Sequence, residues 1–336
     1  MGCRSMYKKP RIIAGAAIAV VLLVSLLAAK HKGKSQPVTT NGQAANPLLL
    51  TAEPRQYPFT LIAYGDLRTT DPTNHSVTDP ERRQALIARI ASEKPDLVVV
   101  NGDLVYKGGN QADWREFDQE TRPWRDAQIK ILPVVGNHDT SGDVDLHNYF
   151  QEFPNLEGRR WYSVHYGSLL VMSVDSESDH APNSPQWNWI NQELDHVPDG
   201  VKFIIFSMHH PPYTQSSDHM FGGGHSARES EKPLAELFEA RQKQLHPRII
   251  AIAGHVHNYE RYEYNGVMYI VSGGGGASPY SVERQPGDFY NQPGPTYHYC
   301  KITVDHNKLK LEMLKLEMAN GQFVFNVRDS FEITVK

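Results

Sequence analysis

The chain has 336 residues, 40% of them hydrophobic and 10% aromatic, enough to bury a large core as one or two domains. Its 34 basic and 38 acidic side chains leave a net charge of −4, but seven of the basic ones fall within residues 1–34, which contain no acid. The remainder carries 27 basic against 38 acidic groups, a net −11, which argues against nucleic-acid backbones as partners, since neutralising phosphates takes Lys and Arg.

Residues 12–29 form an uncharged apolar run behind a basic start, just long enough to cross a bilayer and equally suited to the core of an export signal. A small-x-small cleavage site is missing, because Leu27 precedes Ala28-Ala29-Lys30. Cys3 lies ahead of the run, so it is not a lipoprotein cysteine, and Met6 stands where myristoylation wants Ser or Thr. The expectation is an exported domain, periplasmic or extracellular, with residues 1–34 as signal or membrane anchor and 35–57 as a flexible linker rich in Gln, Asn, Thr and Pro. Residues 58–336 then make the folded domain. The only cysteines, Cys3 and Cys300, fall on opposite sides of that membrane segment, so no disulfide is implied.

Order begins with a short apolar strand at 59–64, which runs into Gly65-Asp66-Leu67-Arg68. A helix follows, with Asp79 as N-cap, Pro80 at the first position and Leu86, Ile87 and Ile90 on its apolar face. Leu97–Val100 is the next strand, leading into Gly102-Asp103-Leu104-Val105-Tyr106. Residues 114–124 are amphipathic and partly helical, and 131–135 is a strand leading into Gly136-Asn137-His138-Asp139. A strand pair at 161–164 and 169–175 and a helix at 186–194 precede the buried strand 203–207, which ends in His209-His210-Pro211-Pro212. Beyond the glycines at 222–224 come a helix near 233–240 and a strand at 249–253 that ends in Gly254-His255-Val256-His257. Asn265-Gly266 suits a type I′ hairpin turn, and residues 297–335 alternate apolar and polar as half-exposed antiparallel strands do. The alternation predicts an α/β fold, a four-layer αββα sandwich of two mixed sheets flanked by helices.

The polar clusters recur at one kind of place. Asp66, Asp103, Asn137 with His138, His209, and His255 with His257 each follow an apolar strand, at the carboxyl edge where open α/β folds place their sites. Carboxylates, an amide oxygen and imidazoles are the donor mix suited to Fe, Zn or Mn. They are too many for one tetrahedral ion and about enough for two ions sharing a carboxylate.

The order Gly-Asp-x, Gly-Asp-x-x-Tyr, Gly-Asn-His-Asp, His-His-Pro and Gly-His-x-His resembles the calcineurin-like metallophosphoesterases over about residues 57–300. Gly102–Tyr106 and the run from Gly254 to Arg261 resemble the purple acid phosphatase branch in particular. The resemblance implies that Asp103 bridges two metal ions, with Asp66, Tyr106 and His257 completing the first site. Asn137, His209 and His255 would complete the second. It implies ferric iron on the tyrosinate and Zn²⁺, Fe²⁺ or Mn²⁺ beside it, with water activated to hydroxide for in-line attack on a small phosphorylated substrate. His138 would protonate the leaving group or stabilise its charge, and His210 would stand behind the ligands or face the phosphate. Phosphomonoester hydrolysis is the first reading. A phosphodiesterase for nucleotides or phospholipid head groups and a non-catalytic metal-binding module are the alternatives.

One position departs from that pattern. Arg68 stands where the purple acid phosphatases have Gly and most relatives a metal-binding His, and arginine binds no metal. It is expected either to reach a substrate phosphate oxygen or to pair with an acid such as Asp71. Gly273–Gly276 reads as a tight turn, Asp175 as a structural cap, Trp187 and Trp189 as helix packing. His147, His180, His219 and His225 read as loop residues facing solvent, with His219 and His225 able to rim a pocket.

Overall fold

Phe203 and Ile205 leave their strand on one face, Ile204 and Phe206 on the other, and all four are fully buried. A strand covered on both faces belongs inside a layered α/β fold. The computed structural model describes Pro54 and residues 56–216 and 225–336. The apolar run at 12–29, Cys3, nearly all of the linker, His219 and the glycines at 222–224 lie outside the described residues. Among those described, no helix is long and apolar enough to cross a membrane.

In chain order the elements are β1 (Phe59–Tyr64), α1 (Pro80–Glu93), β2 (Leu97–Val100), α2 (Gln111–Asp126), β3 (Lys130–Pro133), α3 (His147–Glu152), β4 (Tyr162–Tyr166) and β5 (Leu169–Ser173). There follow α4 (Pro185–Asp195), β6 (Phe203–Met208), α5 (Lys232–Gln242), β7 (Arg248–Ala253), β8 (Tyr259–Tyr264), β9 (Val267–Ser272), β10 (His298–Asp305), β11 (Lys308–Ala319) and β12 (Gln322–Thr334). One six-stranded sheet runs β12-β11-β10-β1-β2-β3, the other β4-β5-β6-β7-β9-β8. Both are mixed: β1, β2 and β3 are parallel and β10 to β12 antiparallel, while β5, β6, β7 and β9 are parallel between antiparallel edges.

Ile250, Ile252 and Ile270 of the second sheet join the first sheet, α1 and α2 in one core. Ile204, Phe206, Ile249 and Tyr269 face the other way, onto Trp189 and Ile190 of α4 and Leu234 and Phe238 of α5. The rings of Phe206 and Phe238 stack with centroids 3.9 Å apart. These two cores make the four layers that the strand–helix alternation predicts.

Local signals are met closely. Asp79 caps α1 by accepting from the Arg82 backbone N–H at 3.0 Å. Helix α2 begins three residues before the predicted stretch because Asn110 caps it, accepting from Ala112 N. Asn265 and Gly266 both take positive φ, as a type I′ turn requires. Behind the site, buried Arg83 of α1 donates to both carboxylate oxygens of Glu120 on α2 and to Thr78, which in turn donates to the Gly276 carbonyl. That network ties both helices to the backbone beside Asp66.

Two readings are corrected. Gly273–Gly276 is a close approach of chains rather than a tight turn: a Cβ on Gly273 would lie 2.2 Å from the Val256 carbonyl oxygen, and Gly275 N donates to the Gly65 carbonyl. Packing of the two sheet edges against each other leaves no room for a side chain there. His180 is buried, 3.3 Å from Glu231, because its loop folds back onto the segment leading into α5.

Candidate metal centre

The chain turns abruptly where its strands end. Asp66, Arg68, Asp103 and His255 all hold positive φ, between 47° and 66°, a region that costs non-glycine residues energy. The turns aim side chains from β1, β2 and β3 of one sheet and β6 and β7 of the other into a single volume. Asn101 joins the two edges: its side-chain oxygen accepts from Ser207 Oγ at 2.6 Å, and its carbonyl accepts from His209 Nδ1 at 2.9 Å.

That second bond decides the chemistry of His209. A carbonyl only accepts, so Nδ1 carries the proton and Nε2 keeps a lone pair for a metal. Nε2 lies 2.9 Å from Asn137 Oδ1, 3.3 Å from His255 Nδ1 and 3.3 Å from Asp103 Oδ1. His255 Nδ1 is itself 3.2 Å from Asn137 Oδ1. His209 Nε2, Asn137 Oδ1 and His255 Nδ1 thus lie within 3.3 Å of one another, an arrangement that fits a single cation, with Asp103 Oδ1 at the His209 end of it.

The other half is built alike. His257 Nδ1 donates to the Ser278 carbonyl at 2.9 Å, which turns Nε2 toward Asp66 Oδ1, 3.5 Å away. Both of those atoms are buried and neither has a hydrogen-bond partner. Asp66 Oδ2 is already engaged by His255 N at 2.8 Å. A buried carboxylate oxygen and an imidazole lone pair, facing each other without partners, fit a cation between them. Asp103 offers a carboxylate oxygen within 4.8 Å of ligand atoms of both Asp66 and His209.

Protonation agrees with ligand duty. Burial pushes His255 and His257 below their ordinary range, His257 to about 3 with the Arg68 charge adding to it, so both are neutral near pH 7. Asp103 is held ionised against the cost of burial by the Arg68 guanidinium and by the backbone N–H of His138. Asp66 is pushed up to about 7, mainly by burial, with the Asp103 charge adding to it. A carboxylate with raised proton affinity at an orphaned oxygen is one that a cation would relieve.

The remaining expected residues surround this pair. His138 donates from Nδ1 to the Tyr106 carbonyl at 2.6 Å, leaving Nε2 as its free nitrogen, and its backbone N–H donates to Asp103 Oδ1. The Tyr106 ring lies beside it, centroids 5.3 Å apart. His210 packs on His255 at 4.0 Å and binds Glu177 and Ser176 through Nδ1. Arg68 does not pair with Asp71, which accepts from Thr73; its Nε donates to Asp103 Oδ2 at 3.2 Å.

Two further residues shape the centre. Asp139, fully buried, accepts from the backbone N–H groups of Asp103, Leu104, Val105 and Gly136, so it holds the Asp103 loop against the Asn137 loop. Its place in Gly136-Asn137-His138-Asp139 was the available signal. His225 sits 4.9 Å from the His255 ring and 5.0 Å from that of His257, so it rims the centre, as its loop reading allowed.

The calcineurin-like phosphoesterase family model matches residues 60–259. Purple acid phosphatase 22 of Arabidopsis thaliana is 26% identical over 281 residues, 77% of this chain and 58% of its own length. A nucleotide pyrophosphatase/phosphodiesterase of Hordeum vulgare is 27% identical over 277 residues, 71% of this chain and 72% of its own. The structure of purple acid phosphatase PPD1 from yellow lupin seeds aligns with a TM-score of 0.63 at 22% identity, covering 82% of this chain and 53% of that one. The chain thus spans little more than half the length of the purple acid phosphatases it matches.

Proposed function

The chain belongs to the calcineurin-like phosphoesterase family, on its purple acid phosphatase-like side, and we propose that it hydrolyses phosphomonoesters at a centre of two metal ions. The observation that carries this is the orphaned pair Asp66 Oδ1 and His257 Nε2 standing beside the cluster of Asp103, Asn137, His209 and His255. Asp66, Tyr106 and His257 would hold the first ion, Asn137, His209 and His255 the second, and Asp103 both.

Two ions held there would supply an acidified water and positive charge facing the phosphoryl oxygens. Everything else is the chain's work. Asp103, ionised and fixed by four flanking backbone N–H bonds to Asp139, sets the spacing of the two halves. His138, with its proton on Nδ1 held by the Tyr106 carbonyl, presents Nε2 to the leaving oxygen and gives it a proton when the ring is charged. The terminal nitrogens of Arg68, beyond the Nε that grips Asp103, bind a phosphate oxygen. His210, anchored by Glu177, keeps the His255 ring in place.

The phenolate of Tyr106 would favour ferric iron in the first site, with Zn²⁺, Fe²⁺ or Mn²⁺ in the second. The partner would be a small phosphorylated molecule, and the basic start and apolar run of the N-terminal segment support a reaction outside the cytoplasm. The barley relative's name keeps diester cleavage as the second reading.

The test is metal analysis of the purified protein together with a panel of phosphomonoesters and diesters from acid to mildly alkaline pH. Two ions per chain and faster monoester turnover support the proposal. Faster diester turnover moves it to the second reading, and no turnover of either sinks it. A visible charge-transfer band that vanishes in Tyr106→Phe supports ferric iron; a colourless, fully active protein rules that assignment out. For Arg68, unchanged KM and kcat in Arg68→Gln would refute the phosphate contact.

A further inference from the structure

The two oxygens of Asp103 are not in equivalent surroundings. Oδ1 accepts from His138 N at 2.9 Å and lies 3.3 Å from His209 Nε2, on the side of Asn137 and His255. Oδ2 accepts from Arg68 Nε at 3.2 Å. Arg68 is fixed in this pose at two points, because its backbone N–H also donates to the Asp103 carbonyl at 2.8 Å. Its side chain is only 12% exposed, and guanidinium does not lose its proton in a protein.

The oxygen that would serve the first ion is therefore already spending a lone pair on a permanent cation. Among the described residues, no arginine or lysine hydrogen-bonds Asn137, His209 or His255 on the other half. We infer that Arg68 makes the first site, that of Asp66 and His257, the weaker of the two for a divalent ion, so that the chain fills its sites in a set order. The mechanism is twofold: the guanidinium withdraws donor strength from Asp103 Oδ2, and its charge repels the incoming ion across a poorly screened gap. The two orphaned atoms of Asp66 and His257 still draw a cation, so the site is weakened and not abolished. This rests on the two-metal reading above and adds an order of affinity to it.

The experiment is titration of the metal-stripped protein with Zn²⁺ against a chromophoric chelator, which reads affinities without any assay of turnover. His257→Ala identifies the first site, and its loss must remove the weaker of the two binding steps. Arg68→Gly and Arg68→Gln then tighten that step on the order of 10-fold, the scale on which groups bonded to metal ligands act, and leave the tighter step alone. Glycine suits the +47° φ of this position, and a melting curve on each variant reports that the fold is intact. If His257→Ala removes the tighter step, or if both Arg68 variants bind at the first site as wild type does or more weakly, the inference is overturned. Fewer than two ions in wild type and in both Arg68 variants at saturating Zn²⁺ would instead sink the two-metal reading, and this inference with it.

Discussion

Asp66 Oδ1 and His257 Nε2 face each other across 3.5 Å in the protein interior, each without a hydrogen-bond partner. They come from opposite sheets, so whatever joins them also joins the two halves of the sandwich. A divalent ion bound only by the folded state at 100 times its Kd adds about 2.7 kcal/mol to stability. Melting temperature should rise by several degrees on adding Zn²⁺ or Mn²⁺ and fall with a strong chelator. Asp66→Asn should blunt this response. Curves that ignore both metal and chelator would contradict a metal centre.

His138 offers Nε2 alone, since Nδ1 is committed to the Tyr106 carbonyl. His138→Ala should lower kcat by roughly 10²–10⁴-fold for an alkyl phosphate, the usual worth of general acid catalysis. The loss should be smaller for a nitrophenyl ester, whose leaving group needs no proton. Equal losses on the two substrates would show that His138 does not protonate the leaving group.

Gly102 is a packing requirement of the site. Its φ is +85°, and a Cβ there would lie 2.4 Å from His209 Nδ1. Gly102→Ala should cost more than about 1 kcal/mol in backbone strain alone and displace the His209 ring. The expected outcome is loss of one bound ion per chain by metal analysis, with a lowered melting temperature. Full metal content in this variant would mean that the ring can shift without losing its ligand role.

Glu231 carries a pH signature. Burial opposes its ionisation, but hydrogen bonds from His180 and Arg228 outweigh that and bring its pKa from 4.5 down to about 2. A carboxylate depressed in the fold lends stability that is complete above about pH 4.5 and lost as pH falls toward 2. Glu231→Gln should therefore melt lower at neutral pH and show a shallower decline between pH 4.5 and 2. Parallel pH profiles for the two proteins would remove Glu231 from the acid-sensitive set.

Much of this protein was legible without coordinates. Period-two and apolar runs mark nearly every strand, Asp79 and Pro80 announce α1 to the residue, and Asn265-Gly266 announces its hairpin. The candidate donors were legible too, because metal chemistry demands particular side chains, and Asp66, Asp103, Asn137, His209, His255 and His257 each follow a strand. These are local facts, written in adjacent residues.

What only the tertiary structure decided concerns residues of different loops that meet at the strand ends. That Arg68 grips Asp103 rather than Asp71 depends on β1 and β2 lying side by side with both loops in positive φ. That Gly273 admits no side chain depends on the Val256 carbonyl 2.2 Å from where one would start. His225 reaches His255 and His257 across a gap in sequence that no periodicity spans, and Asp139 finds its four N–H donors only when two loops stack. A sequence records which donors a chain owns; which oxygen of Asp103 serves which neighbour is settled by packing, because only packing fixes distances of an ångström between residues far apart in the chain.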